Sequence, residues 1–230
     1  MKRSWVLMFD WDGTLVDTLE TKIRNAGALF EEVFSINPES VEAAYRQHSG
    51  LPRRRLFEAI LQDLNLPDLH DDTYQILSQG FTEKNQAALT PSNREQLVPQ
   101  DTLFALEALS QRGFPLFVSS SAEPGEVRQI ARDLDLDHYF VAILGSQPGF
   151  SKGRDHVNYV LTKINASPSK IVFVGDEPAD VLLGREAGVL TVAKAGTYPP
   201  ERLSDEGADA VVGSLGELVA WLDQREFLEE

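Results

Sequence analysis

Apolar positions along this chain follow two rhythms, and the change between them divides it. Val6-Leu7-Met8-Phe9 is an unbroken apolar run that stops at Asp10. A run this short, closed by the turn signal Asp12-Gly13, predicts a strand buried on both faces. After Thr14 the period lengthens. Leu19, Ile23, Ala26, Phe30 and Val33 recur at helical spacing, as do Leu56, Ile60 and Leu64. Weaker helical patterns cover 38–47 and 71–87, and no convincing strand lies between Thr14 and about Pro91. The first strand is therefore followed by an all-helical insertion.

From Val98 onward the pattern alternates. A helix carrying Leu103, Leu106 and Leu109 stops at Gly113, before a strand over 114–118. Strands over 141–144, 171–174, 190–193 and 208–212 follow, separated by helices over 123–134, 156–164 and 180–187, and a last helix runs through Trp221. Strands alternating with helices imply right-handed crossovers and a largely parallel sheet covered on both faces. The predicted fold class is α/β, a Rossmann-like core with an inserted helical domain.

Length and composition fit that plan. The chain has 230 residues, 42% of them hydrophobic, enough for one large core and a small second one. It contains no cysteine, which excludes disulfides and thiolate metal sites. The formal charge of −15, with no basic stripe, argues against nucleic acid as a partner and fits a well-solvated acidic surface. The apolar run that ends at Asp10 is too short for a signal-peptide core, and no later run approaches a membrane span. A cytoplasmic protein without a membrane partner is expected. An anionic substrate would need local positive charge here, and Arg53-Arg54-Arg55 after Gly50-Leu51-Pro52 is a local reversal of sign.

Candidate chemistry gathers at predicted strand ends. Asp10 and Asp12 share a face of an extended strand, and two carboxylates that close need a cation or a shared proton. Hard oxygen ligands of this kind suit Mg²⁺. Ile171 to Val174 runs into Gly175-Asp176, with Pro178 where a helix begins and Asp180 one turn from Asp176. The strand ending at Val118 leads into three serines, and Ser151-Lys152 follows the apolar run at 141–144.

With Asp10, Asp12, Ser119, Lys152 and Asp176 in this order, the chain resembles the haloacid dehalogenase superfamily over essentially its whole length. It resembles most the phosphatase branch that includes phosphoglycolate phosphatases and β-phosphoglucomutases. The resemblance implies a core of 1–14 and 92–230 with a helical cap of 15–91. It implies a Mg²⁺-dependent phosphatase acting on a small phosphorylated metabolite through an aspartyl-phosphate, as a monomer or homodimer. Asp10 is then the nucleophile and Asp12 the general acid and base. Ser119, with the Ser120 amide, and Lys152 hold the phosphoryl group. The metal falls to Asp10, the Asp12 carbonyl and Asp176, with Asp180 in support, and Arg53 and Arg54 read the substrate from the cap. The resemblance also admits a phosphomutase or a catalytically silent binding protein.

Two positions depart from the family pattern. Lys152-Gly153-Arg154 stands where Lys-Pro is frequent, and Glu177 replaces a small polar residue, where it competes with Asp180 for the metal. Other chemistries find no support. His48, His70, His138 and His156 show no paired ligand spacing and read as structural or surface groups. No Gly-x-Ser-x-Gly elbow, Walker loop or Gly-x-Gly-x-x-Gly is present.

Overall fold

The computed structural model describes residues 5–165 and 167–227. β1 (Val6–Phe9) opens the chain and is buried at every position. Four helices follow: α1 (Leu19–Phe34), α2 (Pro38–Gln47), α3 (Arg53–Asp63) and α4 (Asp71–Ala88). The predicted apolar spacing gives them a core of their own, in which Ile23, Phe30, Phe57, Ile60 and Phe81 are buried together. Val33, expected on that stripe, is instead 37% exposed near the end of α1.

The remainder alternates as its pattern predicts. α5 (Arg94–Leu97) and α6 (Gln100–Gln111) lead to β2 (Leu116–Ser119), and α7 (Pro124–Asp133) leads to β3 (Ala142–Leu144). Then come α8 (Arg154–Ile164), β4 (Ile171–Gly175), α9 (Pro178–Glu186) and β5 (Leu190–Lys194). α10 (Pro200–Asp205), β6 (Ala210–Val212) and α11 (Leu215–Phe227) complete the chain. The short helices α5 and α10 carry too few residues for a period to register in the sequence. β2 runs one residue beyond its predicted end, and Ser119 is part of it.

The sheet has six strands in the order β3-β2-β1-β4-β5-β6, and every pair is parallel. Apolar clusters cover both of its faces, as strands without polar alternation require. From β1 the chain steps outward to β2 and β3, then returns to the other side of β1 for β4. The switch point therefore lies between β1 and β4, where the carboxyl ends of the strands leave a crevice. Phe9 pairs with Val118 on one side and with Val174 on the other, so the three central strands end level. That register brings the sequence-predicted acids to one edge.

Candidate active site

Asp10 leaves β1 at the switch point, its amide bonded to the Val174 carbonyl at 2.8 Å. Asp176 leaves β4 beside it, and Asp180 sits in the first turn of α9. Carboxylate oxygens of Asp10, Asp176 and Asp180, all buried, lie within 4.8 Å of one another. Lys152, which follows β3, reaches across to them. Its Nζ is 2.6 Å from Asp10 Oδ1 and 2.5 Å from Asp180 Oδ1. Asp180 Oδ2 accepts from the amides of Asp176 and Glu177, each at 3.2 Å, and so fixes the turn that starts α9.

The close approach of β1 and β4 explains Gly13. It takes φ +85°, and a Cβ there would meet Asp176 Oδ2 at 2.3 Å. Any other residue would carry both the left-handed backbone and the clash. Thr14 Oγ1 donates to Asp176 Oδ1 at 2.6 Å, and Thr197 Oγ1 donates to the other oxygen.

Burial dominates the electrostatics of this edge. It pushes the Asp10 carboxyl well above the usual carboxylate range, with Asp180 and Asp176 adding to the rise and Lys152 opposing it. Asp176 is pushed up to about 6 by burial and by Asp180, and Glu177 up to about 7 by the same two causes. Burial opposes the charge on Lys152, but Asp10 and Asp180 outweigh it and hold the ammonium charged. Three clustered carboxylates beside one lysine that bonds two of them leave a negative excess, and the oxygen donors fit a hard dication such as Mg²⁺.

A cavity of about 60 Å³ opens from this edge toward the helical insertion. Asp10, Asp12, Ser120, Lys152 and Glu177 line it from below, and Lys22, Tyr45, Gly50, Leu51, Arg53 and Phe81 from above. The loop before α3 presses on the sheet edge. Ser121 Oγ donates to the Gly50 carbonyl at 2.6 Å, and a Cβ on Gly50, at φ +85°, would meet Glu177 Oε2 at 2.4 Å.

Several predicted residues stand elsewhere than expected. Ser119 is fully buried inside β2, and its hydroxyl is 2.8 Å from His156 Nδ1. The other ring nitrogen is 3.2 Å from the Gly145 carbonyl, which can only accept, so Nε2 carries the proton and Ser119 donates to Nδ1. Burial also holds this ring down to about 4, so it stays neutral. The Ser119 hydrogen is thus committed away from the cavity. Ser120 faces the cavity in its place. Its Oγ accepts from the Ala122 amide at 3.1 Å and keeps its own hydrogen, while its amide is spent on the Leu144 carbonyl at 2.9 Å. The strand is one residue longer than the apolar run suggested, and that moves the exposed serine by one.

Arg53 and Arg54 part company. Arg53 is buried, bonds Glu126 of α7, and stacks over Phe81. Arg54, one residue along α3, points outward to Glu58 at 3.3 Å and Asp71 at 2.7 Å, and does not line the cavity. Asp12 reaches the cavity, but Lys22 Nζ contacts both of its oxygens, at 2.7 and 2.8 Å, and Thr18 Oγ1 also donates to it. Lys22 and Glu126 are functional candidates that sequence reasoning missed. The signal available was a charged residue inside an apolar stripe: Lys22 beside Ile23 and Ala26, and Glu126 beside Val127 and Ile130.

Comparison with known proteins agrees with this geometry. The family model described as haloacid dehalogenase-like hydrolase matches residues 7–194. The chain belongs to that family. A phosphoglycolate phosphatase of Aquifex aeolicus is 27% identical over 228 residues, covering 95% of this chain and 96% of that protein. One from Mannheimia succiniciproducens is 32% identical over 189 residues, covering 80% and 82%. The crystal structure of a predicted phosphoglycolate phosphatase from Haemophilus somnus 129PT matches with a TM-score of 0.77 at 19% identity, over 96% of this chain and 99% of that one, a likeness of fold. Its family and its phosphatase relatives make this haloacid dehalogenase-like chain an enzyme of the phosphatase kind, a hydrolase of phosphoric monoesters. Among the described residues, no helix is long and apolar enough to cross a membrane.

Proposed function

We propose that this chain is a Mg²⁺-dependent phosphatase of small phosphorylated metabolites, working through an aspartyl-phosphate, with residues 15–91 as a cap over a core of 1–14 and 92–230. The observation that carries the reading is Lys152 bridging Asp10 and Asp180 beside Asp176, at the sheet's switch point. Asp10, the Asp12 carbonyl and Asp176, with Asp180 beside them, are the groups that would hold Mg²⁺. The ion would neutralise the phosphoryl oxygens that otherwise repel a nucleophile.

The chain's own groups supply the rest. Lys152 holds Asp10 Oδ1, which orients the carboxylate and leaves Oδ2 to attack phosphorus. As the Oδ2–P bond forms, the bond from phosphorus to the alcohol oxygen breaks, and a proton from Asp12 goes to that oxygen. Asp12 then takes a proton from water, the water oxygen bonds to phosphorus, and the Asp10–phosphorus bond breaks to release phosphate. Ser120, with its hydrogen available at the cavity, donates to the phosphoryl group in place of Ser119. Lys22 holds Asp12 from the cap, so closing the cap sets the angle of the proton donor.

The test is Asp10→Asn, assayed with Mg²⁺ against a panel of phosphate monoesters. The expected loss in kcat is at least about 10³-fold with an unchanged circular dichroism spectrum, as for other catalytic nucleophiles. A near-normal rate in the folded variant would refute the nucleophile assignment.

A further inference from the structure

The cap side of the cavity carries two cations, and both are already matched. Lys22 bonds both oxygens of Asp12 and lies 3.7 Å from Glu126 Oε1. Arg53 bonds Glu126 Oε2 through Nη2, while its Nη1 donates to Thr82 Oγ1 at 2.8 Å and to Ser78. Glu126 is as fully engaged. Thr82 Oγ1 donates to Oε2 and Asn85 Nδ2 to Oε1, each at 3.1 Å. Glu126 and Lys22 are 3% and 4% exposed and Arg53 is 6% exposed, so none of these charges can turn to water.

A carboxylate or second phosphate entering such a site has no cation left to meet. If it drew Arg53 to itself, Glu126 would stay buried with Lys22, already bonded to Asp12, as its nearest cation, and one partner taken from a buried ion pair is costly. Arg53 would also have to leave Thr82 and Ser78. The apolar walls are Leu19, Leu51, Leu56 and Phe81, and the hydroxyls of Tyr45, Ser49 and Ser121 are neutral donors and acceptors beside the Glu177 carboxyl. Burial, with Asp12 nearby, pushes the Tyr45 phenol upward, so that group stays uncharged.

We infer that the enzyme takes phosphate monoesters of small uncharged alcohols, and that Glu126 is the specificity residue that turns anionic leaving groups away. The inference rests on the phosphatase reading above and adds the class of leaving group. The cavity's 60 Å³, on a measure where one water needs about 10–15 Å³, keeps that group small. The same pairing disfavours a phosphomutase, whose bisphosphate intermediate needs a cation for its second phosphate.

The decisive comparison uses a matched pair that differs in charge and hardly in shape: 2-phosphoglycolate and its primary amide. With the full-length chain and Mg²⁺, kcat/KM should favour the amide by about tenfold or more, the size of one buried group left unpaired. In Glu126→Gln, which frees Arg53 at constant shape, the ratio of carboxylate to amide should rise by about tenfold or more. Preference for the carboxylate in the wild type, or a ratio that Glu126→Gln does not move, overturns the inference. So does cleavage of p-nitrophenyl phosphate with no turnover of either ester. Failure on all three substrates would instead remove the phosphatase reading. The wild-type ratio needs no variant, so misfolding of Glu126→Gln would not shield the inference.

Discussion

The two halves of one cleft handle charge in opposite ways. On the sheet edge, Asp10, Asp176 and Asp180 crowd around Lys152, and burial raises the carboxyls of Asp10 and Asp176 above their ordinary range. Facing the cap, Asp12 and Glu126 of the core meet Lys22 and Arg53 of the helical insertion in closed pairs. The first half holds its carboxylates at a cost that an incoming cation would relieve. The second is complete before any ligand arrives. On the proposed function, unbalanced buried charge marks where the phosphate end of the substrate and its ion would be taken up. Balanced buried charge marks where a further charge is refused.

The contrast breaks most visibly under mutation of the closed pair. Arg53→Met leaves Glu126 buried with Lys22 as its nearest cation, at 3.7 Å. The expected loss of stability is about 3–5 kcal/mol, the range for one partner removed from a buried ion pair. Adding Glu126→Leu should restore most of it, since the residual charge goes and apolar volume replaces it. Denaturant titration of the wild type and the two variants measures this. An Arg53→Met variant as stable as wild type would mean that the pair is hydrated in solution and the cap stands open.

The same contrast governs what could be read from the sequence. The sheet edge was legible because Asp10 and Asp176 each follow a buried strand, and a strand end is marked by an apolar run meeting a turn. Asp10 and Asp176 were located that way and Lys152 by its order and spacing in the family resemblance, and the structure brings the three together. The serine was displaced by one because Ser119, polar but buried, extends β2 past the apolar run. What makes a buried serine tolerable there is His156, 37 residues away, and no local pattern carries that information. Arg53 and Arg54 are neighbours on one helix, about 100° apart around its axis. Which of them faces inward depends on how α3 lies against α4 and α7, a tertiary fact. Lys22 and Glu126 come from distant elements and mean something only as a pair across the cleft.

The sheet edge can be sharpened by pH and metal. Asp176 rises from 3.8 to about 6 on folding, and Glu177 from 4.5 to about 7. The folded chain therefore holds these protons more tightly than the unfolded one. The stability they contribute is complete below about pH 4 and is lost as pH rises through about 6 and then 7. Metal-free protein should melt at progressively lower temperature across that window. Mg²⁺ competes with the proton on Asp176, so it should raise the Tm more at about pH 7.5 than at about pH 5. At a hundred times Kd the gain is about 2.7 kcal/mol, or a Tm shift of very roughly 5–10 °C for a chain of this size. Asp176→Asn should abolish the Mg²⁺ response without lowering metal-free stability, the reverse of Arg53→Met. Equal Mg²⁺ shifts at both pH values would detach the ion from these carboxylates.

The smallest expected effect separates two adjacent serines. Ser119→Ala removes the hydroxyl that donates to His156 Nδ1 and leaves a buried acceptor without its partner. It should cost about 1 kcal/mol of stability, with little effect on turnover in the folded fraction. Ser120→Ala removes a cavity-facing hydroxyl whose oxygen accepts from the Ala122 amide. Its stability should stay within about 0.5 kcal/mol of wild type, while kcat/KM falls about tenfold through a lost contact to the phosphoryl group. Measuring both quantities on both variants matters, because a rate loss alone could follow from a disturbed strand end. If Ser119→Ala carries the rate loss and Ser120→Ala the stability loss, the hydroxyl of Ser119 turns to the phosphate when substrate binds. His156 Nδ1 would then lose its donor, or take the proton from Nε2 to donate to Ser119 Oγ and leave the Gly145 carbonyl without its partner.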